Sequence, residues 1–202
     1  MEVENLKETV GNIDIYVLDQ ILKGRYTQED KILDAGCGSG RNIHWFYHGN
    51  FKVWGVDRDK KSIEYVKKIY PGIIENFESS ELSEIPFAEN LFDHIICSAV
   101  LHFATGPEHF RKMFSELIRV LKPNGSILIR MASNIGMNKM TSHLQNGVYR
   151  LGDGTDRFLL TKELLRDVME KHQLSFLEPL KTTNVNDLRY MSTLVLQKNS
   201  ST

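Results

Sequence analysis

A stretch at residues 32–42, ILDAGCGSGRN, constrains the fold of this chain more than any other. An apolar run ends at Asp34, three glycines follow at alternate positions, and a segment with helical character comes next. A strand that turns through glycines into a helix leaves backbone N–H groups free at the turn, and glycines let a ligand come close to the main chain. The stretch therefore predicts a strand, a turn and a helix that form one wall of a nucleotide site.

The spacing of the glycines indicates which kind of nucleotide binds. Dinucleotide sites of dehydrogenases follow the pattern G-x-G-x-x-G, whereas Gly36, Gly38 and Gly40 follow G-x-G-x-G. Together with Asp34 and Cys37, the motif resembles the glycine loop of class I S-adenosylmethionine-dependent methyltransferases. The resemblance implies that the cofactor is S-adenosylmethionine and that these five residues bind it. A glycine-rich turn without a ligand is the alternative that the loop alone leaves open.

A second acidic residue supports the nucleotide interpretation. Residues 51–56 alternate enough to form the next strand, and Asp57 ends it. A carboxylate at the carboxyl end of the strand after a glycine loop can accept hydrogen bonds from both ribose hydroxyls. We therefore predict that Asp57 and the adjacent Arg58 bind the cofactor. The alternative role, N-cap of the following helix, is assigned to Asp59.

Two later segments also resemble the family. Residues 80–87 are similar to the stretch beside adenine, although the family usually has Asp where Glu81 stands. The resemblance implies that Glu81 and Leu82 lie next to the base, and an ordinary solvated loop is the alternative. Residues 87–103 match the family around its fourth strand, which implies that Ser98 binds the cofactor and that His102 faces the reactive methyl group.

Two segments are expected to close over the pocket. Residues 1–30 are predicted to form an N-terminal helical cap in which Tyr16 and Arg25 contact the cofactor; a core tyrosine and a solvated arginine are the alternative. Residues 132–160 are rich in Gly, Asn, Ser and Thr and are predicted to be a long loop that acts as a substrate lid. The candidates in this lid for substrate contact are Met137, Met140, His143, Tyr149, Arg150 and Arg157.

The order of the elements predicts one α/β domain over residues 1–202. Strands alternate with helices through most of the chain, which is typical of a parallel sheet. The final two predicted strands, at 175–180 and 190–197, are joined by a linker that is too short for a parallel crossover. We therefore predict a Rossmann-like, doubly wound sheet of about seven strands, mostly parallel with an antiparallel last strand and with helices on both faces.

Composition limits the partners and the location. The formal net charge is −1 and no basic run is interleaved with aromatics, so we predict no nucleic-acid partner. No apolar run is long enough to span a bilayer, the N-terminus is too polar for a signal peptide, and two cysteines make no disulfide framework. His44 and His48 lack further metal ligands. We expect a soluble, cytoplasmic protein, a monomer or homodimer, without membrane contact or a bound metal.

The predicted reaction is in-line transfer of the sulfonium methyl group to a small-molecule acceptor. If the acceptor atom is oxygen or nitrogen, His102 or His143 is the expected proton acceptor, because histidine titrates near neutrality. A soft acceptor such as a thiol needs no base. The tripeptide at residues 40–42 is similar to tellurite-resistance methyltransferases but is too short to identify a substrate. Two other function classes stay open: a NAD-dependent oxidoreductase, and a non-catalytic module that binds S-adenosylmethionine.

Overall fold

The computed structural model describes residues 3–137 and 142–200 of the chain. Its helices are α1 (Val3–Val10), α2 (Ile15–Leu22), α3 (Ile43–His48), α4 (Lys60–Ile69), α5 (Pro107–Val120) and α6 (Lys162–Lys171). Its strands are β1 (Lys31–Ala35), β2 (Lys52–Asp57), β3 (Phe77–Ser79), β4 (Phe92–Ser98), β5 (Leu121–Ala132), β6 (Ser142–Gln145), β7 (Val148–Arg150), β8 (Asp156–Phe158), β9 (Leu174–Phe176), β10 (Lys181–Val185) and β11 (Arg189–Lys198). Short 3-10 turns cover Pro71–Asn76 and Leu101–Phe103.

A central sheet runs in the order β10-β11-β5-β4-β1-β2-β3, with β9 also paired to β11. Strands β1 to β5 pair in parallel, whereas β11 is antiparallel to β5, β9 and β10. The predicted Rossmann-like sheet with an antiparallel last strand is confirmed. It has one strand more than predicted, because Pro179, which cannot donate to a β-ladder, separates β9 from β10.

Helices cover both faces of the sheet. Successive side chains of a strand point to opposite faces, so neighbouring residues enter different cores. Leu33 and Ile95 belong to the core that includes residues of α5 and α6. Ile32 and Ile96 belong to the core that includes residues of α2, α3 and α4. Burial on both faces explains why β1 and β4 are continuous apolar runs instead of alternating ones.

The third strand of the sheet is short and follows a turn. A 3-10 turn occupies Pro71–Asn76, and β3 covers Phe77–Ser79. Proline and glycine at the start of this segment favour a turn over a strand. Phe77 is fully buried and pairs with Gly55 of β2, so the chain joins the sheet where a side chain can face the core.

The N-terminal segment forms two helices with a break between them. Gly11 has φ +64°, a conformation that glycine adopts without strain, and it ends the first helix. Asp14 then caps α2, and its side chain accepts a hydrogen bond from the Tyr16 N–H at 3.0 Å. Across the part of the chain that the structure describes, no helix combines the length and apolar character needed to cross a membrane.

The segment at residues 132–160 is not an irregular loop as predicted. Strands β6, β7 and β8 form a small antiparallel sheet. Asn146 and Gly147 both have positive φ, +49° and +75°, between β6 and β7. An Asn-Gly pair of this kind is the sequence signal of a tight β-hairpin, and the prediction overlooked it. Met140, one of the predicted lid contacts, lies outside the described residues.

Candidate active site

The three glycines of the loop after β1 serve different purposes. All have positive φ, +83° at Gly36, +51° at Gly38 and +80° at Gly40, a region that side chains disfavour. A Cβ added to Gly36 would lie 2.2 Å from a methyl of Val100, and one added to Gly40 would lie 2.8 Å from the Tyr70 ring. A Cβ on Gly38 would meet no atom within 4 Å. Packing therefore requires the outer two glycines, and the middle one faces open space where a ligand can approach the backbone.

The carboxylate of Asp57 lies against this loop. Its Oδ2 accepts a hydrogen bond from the Gly38 N–H at 2.9 Å, and its Oδ1 accepts one from the Asp59 N–H at 2.9 Å. Each carboxylate oxygen can accept a further hydrogen bond, so both stay available to a ligand. Asp59 caps α4 by accepting from Lys61 and Ser62, which confirms that the capping role belongs to Asp59.

A cavity of about 180 Å³, here called the cofactor cleft, opens at the carboxyl ends of these strands. Six of the predicted cofactor residues line it: Gly36, Asp57, Arg58, Glu81, Leu82 and Ser98. Residues that sequence analysis did not single out also line it: Ser80, Ala99, Val100, Phe103, His109 and Met113. The last two lie in the first half of α5, and their place in a helix gave no sign that they would reach the cleft. A crevice outside the carboxyl ends of the strands is the place where open α/β sheets bind ligands.

Asp34 is buried behind the loop in an unusual environment. Among the described residues, neither of its carboxylate oxygens has a hydrogen-bond partner. Burial raises the pKa of Asp34 to about 7, and the nearby Asn42 side chain and Arg41 charge offset only part of that rise. An ionised carboxylate in such a place needs a positive partner. Because S-adenosylmethionine carries an ammonium and a sulfonium group, the residues present fit this cofactor.

A second cavity of about 260 Å³, here called the arginine cavity, adjoins the cleft. Ala99 and Phe103 line both spaces. Ala99 follows β4 with φ +63°, an uncommon conformation for a residue with a side chain, and its N–H donates to the Arg130 carbonyl at 2.7 Å. The other residues that line the arginine cavity are His102, Arg130, Ala132, Leu151, Thr155, Arg157, Arg189 and Met191. A molecule in this cavity would therefore lie next to a ligand in the cleft.

His102 is buried at the wall of the arginine cavity. Its Nδ1 accepts a hydrogen bond from the Ala132 N–H at 3.3 Å. Burial, with the charges of Arg157, Arg130 and Arg189, lowers the pKa of His102 to about 4. The imidazole is therefore neutral near pH 7, and with Nδ1 accepting, its proton sits on Nε2. This arrangement favours a hydrogen-bond donor rather than the proton acceptor that the sequence suggested.

Residues 33–129 match the model of a family described as "Methyltransferase domain". The match runs from β1 to β5 and contains the glycine loop and Asp57. Over residues 33–129 the chain is a methyltransferase domain of the S-adenosylmethionine-dependent kind. Solved methyltransferases have the same fold. One from Methanosarcina mazei has a TM-score of 0.71 and 20% identity, with 90% of this chain and 98% of that chain covered.

Three further relatives are named for different methyl acceptors or for none. A tRNA N(3)-methylcytidine methyltransferase of Schizosaccharomyces pombe is 28% identical over 157 residues, 71% of this chain and 51% of that protein. An uncharacterized methyltransferase of Bacillus subtilis is 31% identical over 108 residues, 52% of this chain and 45% of that protein. This chain thus spans about half the length of the curated relatives it matches. The 1,6-didemethyltoxoflavin-N1-methyltransferase of Burkholderia thailandensis, solved with that compound and S-adenosylhomocysteine, has a TM-score of 0.68 at 15% identity, covering 98% and 82% of the two chains.

Asp14 connects the N-terminal helices of this methyltransferase to its cleft, and sequence analysis missed it. Its Oδ2 accepts from the Ser98 hydroxyl at 2.8 Å and from Arg41 at 3.3 Å, and it lies 3.7 Å from Arg130. Its N–H donates to the Asn42 side chain at 3.1 Å. The position of Asp14 before an apolar helical segment could have revealed its capping role. Its contacts across the sheet had no signal in the sequence.

Six of the twelve predicted cofactor residues do not line the methyltransferase's cleft: Asp34, Gly38 and Gly40, which belong to β1 and the glycine loop, and Cys37, Tyr16 and Arg25. The Cys37 thiol belongs to the core near Phe77, where burial raises its pKa. The Tyr16 hydroxyl bonds Thr183 at 2.6 Å, and the Arg130 guanidinium lies 5.4 Å over its ring. These positions correct both predictions.

Arg25 is also outside the cleft. The chain turns at Gly24, φ +68°, just after α2. The Arg25 guanidinium then bonds Gln20 and forms an ion pair with Glu178 at 3.3 Å. The turn after the helix, which sequence analysis did not consider, directs this side chain away from the ligand.

Of the predicted lid contacts that the structure describes, one lies at the wall of the site. This residue is Arg157, which lines the arginine cavity. His143 is exposed on β6, its ring is 4.8 Å from that of Tyr149, and it lines neither the cleft nor the arginine cavity. Met137 and Tyr149 pack on the small core under this sheet, and Arg150 is exposed and paired with Asp156. The structure therefore does not bring His143 together with His102, because strand pairing in β6 turns it outward.

Proposed function

We propose that this protein transfers the methyl group of S-adenosylmethionine to a small-molecule acceptor held in the arginine cavity. The observation that carries the proposal is the junction at Ala99 and Phe103, where that cavity adjoins the cofactor cleft. Two spaces that share a wall can hold a donor and an acceptor in contact, and positioning of this kind supplies a large part of the catalysis of a bimolecular reaction.

The residues of the cleft divide into three roles toward the cofactor. Asp57 accepts hydrogen bonds from the ribose hydroxyls, and Glu81 and Leu82 contact the base. Asp34, behind the open face of Gly38, compensates the positive charge of the amino-acid part. When bound, the cofactor supplies an electrophilic methyl group on a positively charged sulfur that is already a good leaving group.

The acceptor side depends on residues that exclude water and orient one atom. The Nε2–H of His102 donates a hydrogen bond to the acceptor, and the apolar walls from Ala99 and Phe103 keep solvent away from the reacting centre. Leu151 and Thr155, beside β7 and β8, also line the cavity, so we propose that the small sheet acts as the substrate lid. This arrangement suits a nucleophile that reaches the site already deprotonated or that needs no base.

A tRNA acceptor is the second candidate, because the Schizosaccharomyces pombe relative is named as a tRNA methyltransferase and matches 71% of this chain. The formal net charge of −1 favours the small molecule, since sustained binding to a polyanion depends on many basic contacts. A NAD-dependent oxidoreductase finds no support in the relatives.

Calorimetry with S-adenosylhomocysteine and with NADH tests the cofactor. Tight binding of the first and none of the second is expected, and preference for NADH would refute the assignment. Release of S-adenosylhomocysteine is then followed in the presence of thiols, chalcogen oxyanions, small hydroxy and amino compounds, and total tRNA. Turnover with a small compound supports the proposal, and turnover with tRNA alone favours the second candidate. If no compound and no tRNA causes release of S-adenosylhomocysteine, a non-catalytic binding module is favoured.

A further inference from the structure

We propose that the methyl acceptor carries a carboxylate or phosphate group and that Arg130, Arg157 and Arg189 bind this group in the arginine cavity. The inference rests on the proposed function, because it specifies the chemical class of that acceptor. It depends on the charges that line the cavity, on donors that lack partners, and on the place of Arg157 at the junction with the cleft.

The charges in the cavity do not balance. Three guanidinium side chains line this one space. Asp14 lies 3.7 Å from Arg130, and Asp153 lies 3.0 Å from Arg189. Within residues 3–137 and 142–200, no carboxylate comes within ion-pair distance of Arg157. A positive charge without a close partner therefore faces the cavity.

The Arg157 side chain is held in place but keeps donors for a ligand. Its guanidinium lies 4.8 Å from the centre of the Phe103 ring, and one Nη donates to the carbonyl of Asp156 at 2.7 Å. A guanidinium has five N–H donors in a fixed fork, which matches two oxygens of a carboxylate or phosphate. Because Phe103 also lines the cleft, an anion on Arg157 would sit close to the place where the methyl group arrives.

Arg130 supplies a second, independent sign of a missing anion. Its Nε is buried and has no hydrogen-bond partner among the described residues. Its nearest carboxylate, Asp14, is at 3.7 Å, beyond hydrogen-bond distance. A buried donor of a charged group that is left unpaired is costly, and such groups in native proteins commonly meet a ligand or an ordered water. The Arg130 guanidinium therefore has unused donor capacity at the wall of the arginine cavity.

The lowered pKa of His102 reflects the same positive charges. After burial, the charges of the three arginines are the main cause of its lowered pKa. The imidazole therefore stays neutral and adds an N–H donor without adding charge. Positive groups inside a desolvated cavity attract an anion more strongly than the same groups on the outer surface do.

The test uses the protein saturated with S-adenosylhomocysteine and two simple probes, inorganic phosphate and acetate. Each is titrated at constant ionic strength, with sodium chloride making up the difference. The readout is the imidazole signal of His102 in the NMR spectrum of histidine-labelled protein, assigned with His102→Gln. Arg157→Gln is the main variant, Arg189→Gln is the second in case the first does not fold, and Arg166→Gln on the exposed face of α6 is the matched control.

A saturable change in the His102 signal is expected with phosphate or acetate. Arg157→Gln should weaken the apparent affinity at least about tenfold, because it removes a charge-assisted contact, and Arg166→Gln should leave it unchanged. S-adenosylhomocysteine should bind all variants equally. A titration without saturation, or equal weakening by Arg157→Gln and the control Arg166→Gln, would overturn the proposal.

Two further results separate this inference from the proposed function. If S-adenosylhomocysteine does not bind at all, the proposed function fails, and the same titration of the ligand-free protein still tests the anion site. If total tRNA moves the His102 signal while phosphate and acetate do not, the small anionic acceptor is refuted and an RNA substrate takes its place.

Discussion

Replacing Asp34 by Asn should remove a pH dependence from the stability of the ligand-free protein. The carboxyl group is fully buried, and its pKa rises from 3.8 in the unfolded chain to about 7 in the native protein. Between these two values the native state binds more protons than the unfolded state, so the free energy of unfolding falls as the pH rises. At about 1.4 kcal/mol for each tenfold change in proton affinity, the loss reaches about 4 kcal/mol by the time Asp34 is ionised.

Urea unfolding of the wild type and of Asp34→Asn at about pH 5 and about pH 8 measures this term. The difference between the two proteins should change by about 2.5 kcal/mol between the two pH values, because roughly a third of the loss has already occurred at pH 5, and the variant should be relatively more stable at the higher pH. Comparing the change, rather than the absolute stability, cancels the constant cost of a buried amide. Asp59→Asn is the matched control: its pKa is lowered by hydrogen bonds to Ser62, so Asp59 is ionised in both states over this range.

The same residue links protonation to cofactor binding. At about pH 6.5, a pKa of about 7 leaves roughly three quarters of the Asp34 carboxyls protonated in the ligand-free protein. A cation bound beside the carboxylate should lower its pKa, so binding of S-adenosylhomocysteine should release a proton. Calorimetry in two buffers of different ionisation enthalpy measures that release. A pH-independent difference in stability together with no proton release on binding would refute the role assigned to Asp34.

Three other substitutions test the site. Asp57→Ala should weaken S-adenosylhomocysteine binding by about 1–3 kcal/mol in calorimetry, because charge-assisted hydrogen bonds are lost. Gly38→Asn should block binding by placing a side chain in the open face of the loop, and Asn is used because it tolerates the φ of +51° better than Val does. The wild type should lose up to about 3 kcal/mol of stability as the pH falls from 6.5 to about 4, because the pKa of His102 is about 4 in the native protein. His102→Gln should remove this loss, and urea unfolding at several pH values measures it.

Each of these substitutions has its own check. Gly24→Asn introduces the same residue at a similar φ, +68°, with nothing within 4 Å and outside the cleft, so it separates backbone strain from ligand exclusion. Equal loss of binding in the two Asn variants would contradict the place given to Gly38. Unchanged affinity in Asp57→Ala would remove Asp57 from the site. A pH–rate profile of the wild type with an inflection near pH 6.5 that disappears in His102→Gln would restore the base role of His102.

The sequence alone was enough for the glycine loop and the carboxylate beside it. Strand, glycine turn and helix are local features, and positive φ at alternate positions is a requirement that glycine meets within a few residues. The acidic residue that ends β2 follows from the same strand order, so Asp57 could be placed beside Gly38 without coordinates. The sheet and its antiparallel last strand were predictable for the same reason, because apolar runs and linker lengths constrain topology.

The arginine cavity was decided by tertiary structure. Arg130, Arg157 and Arg189 belong to β5, β8 and β11, and only the pairing of the strands and the packing of the small sheet brings them to one cavity with His102. Which face a strand side chain takes depends on register, and a shift of one residue reverses it. The tautomer of His102 depends likewise on a backbone N–H thirty residues away. Contacts that arise from long-range pairing leave no local pattern, and for this reason sequence analysis brought Asp57 and the glycine loop together but did not bring the three arginines together.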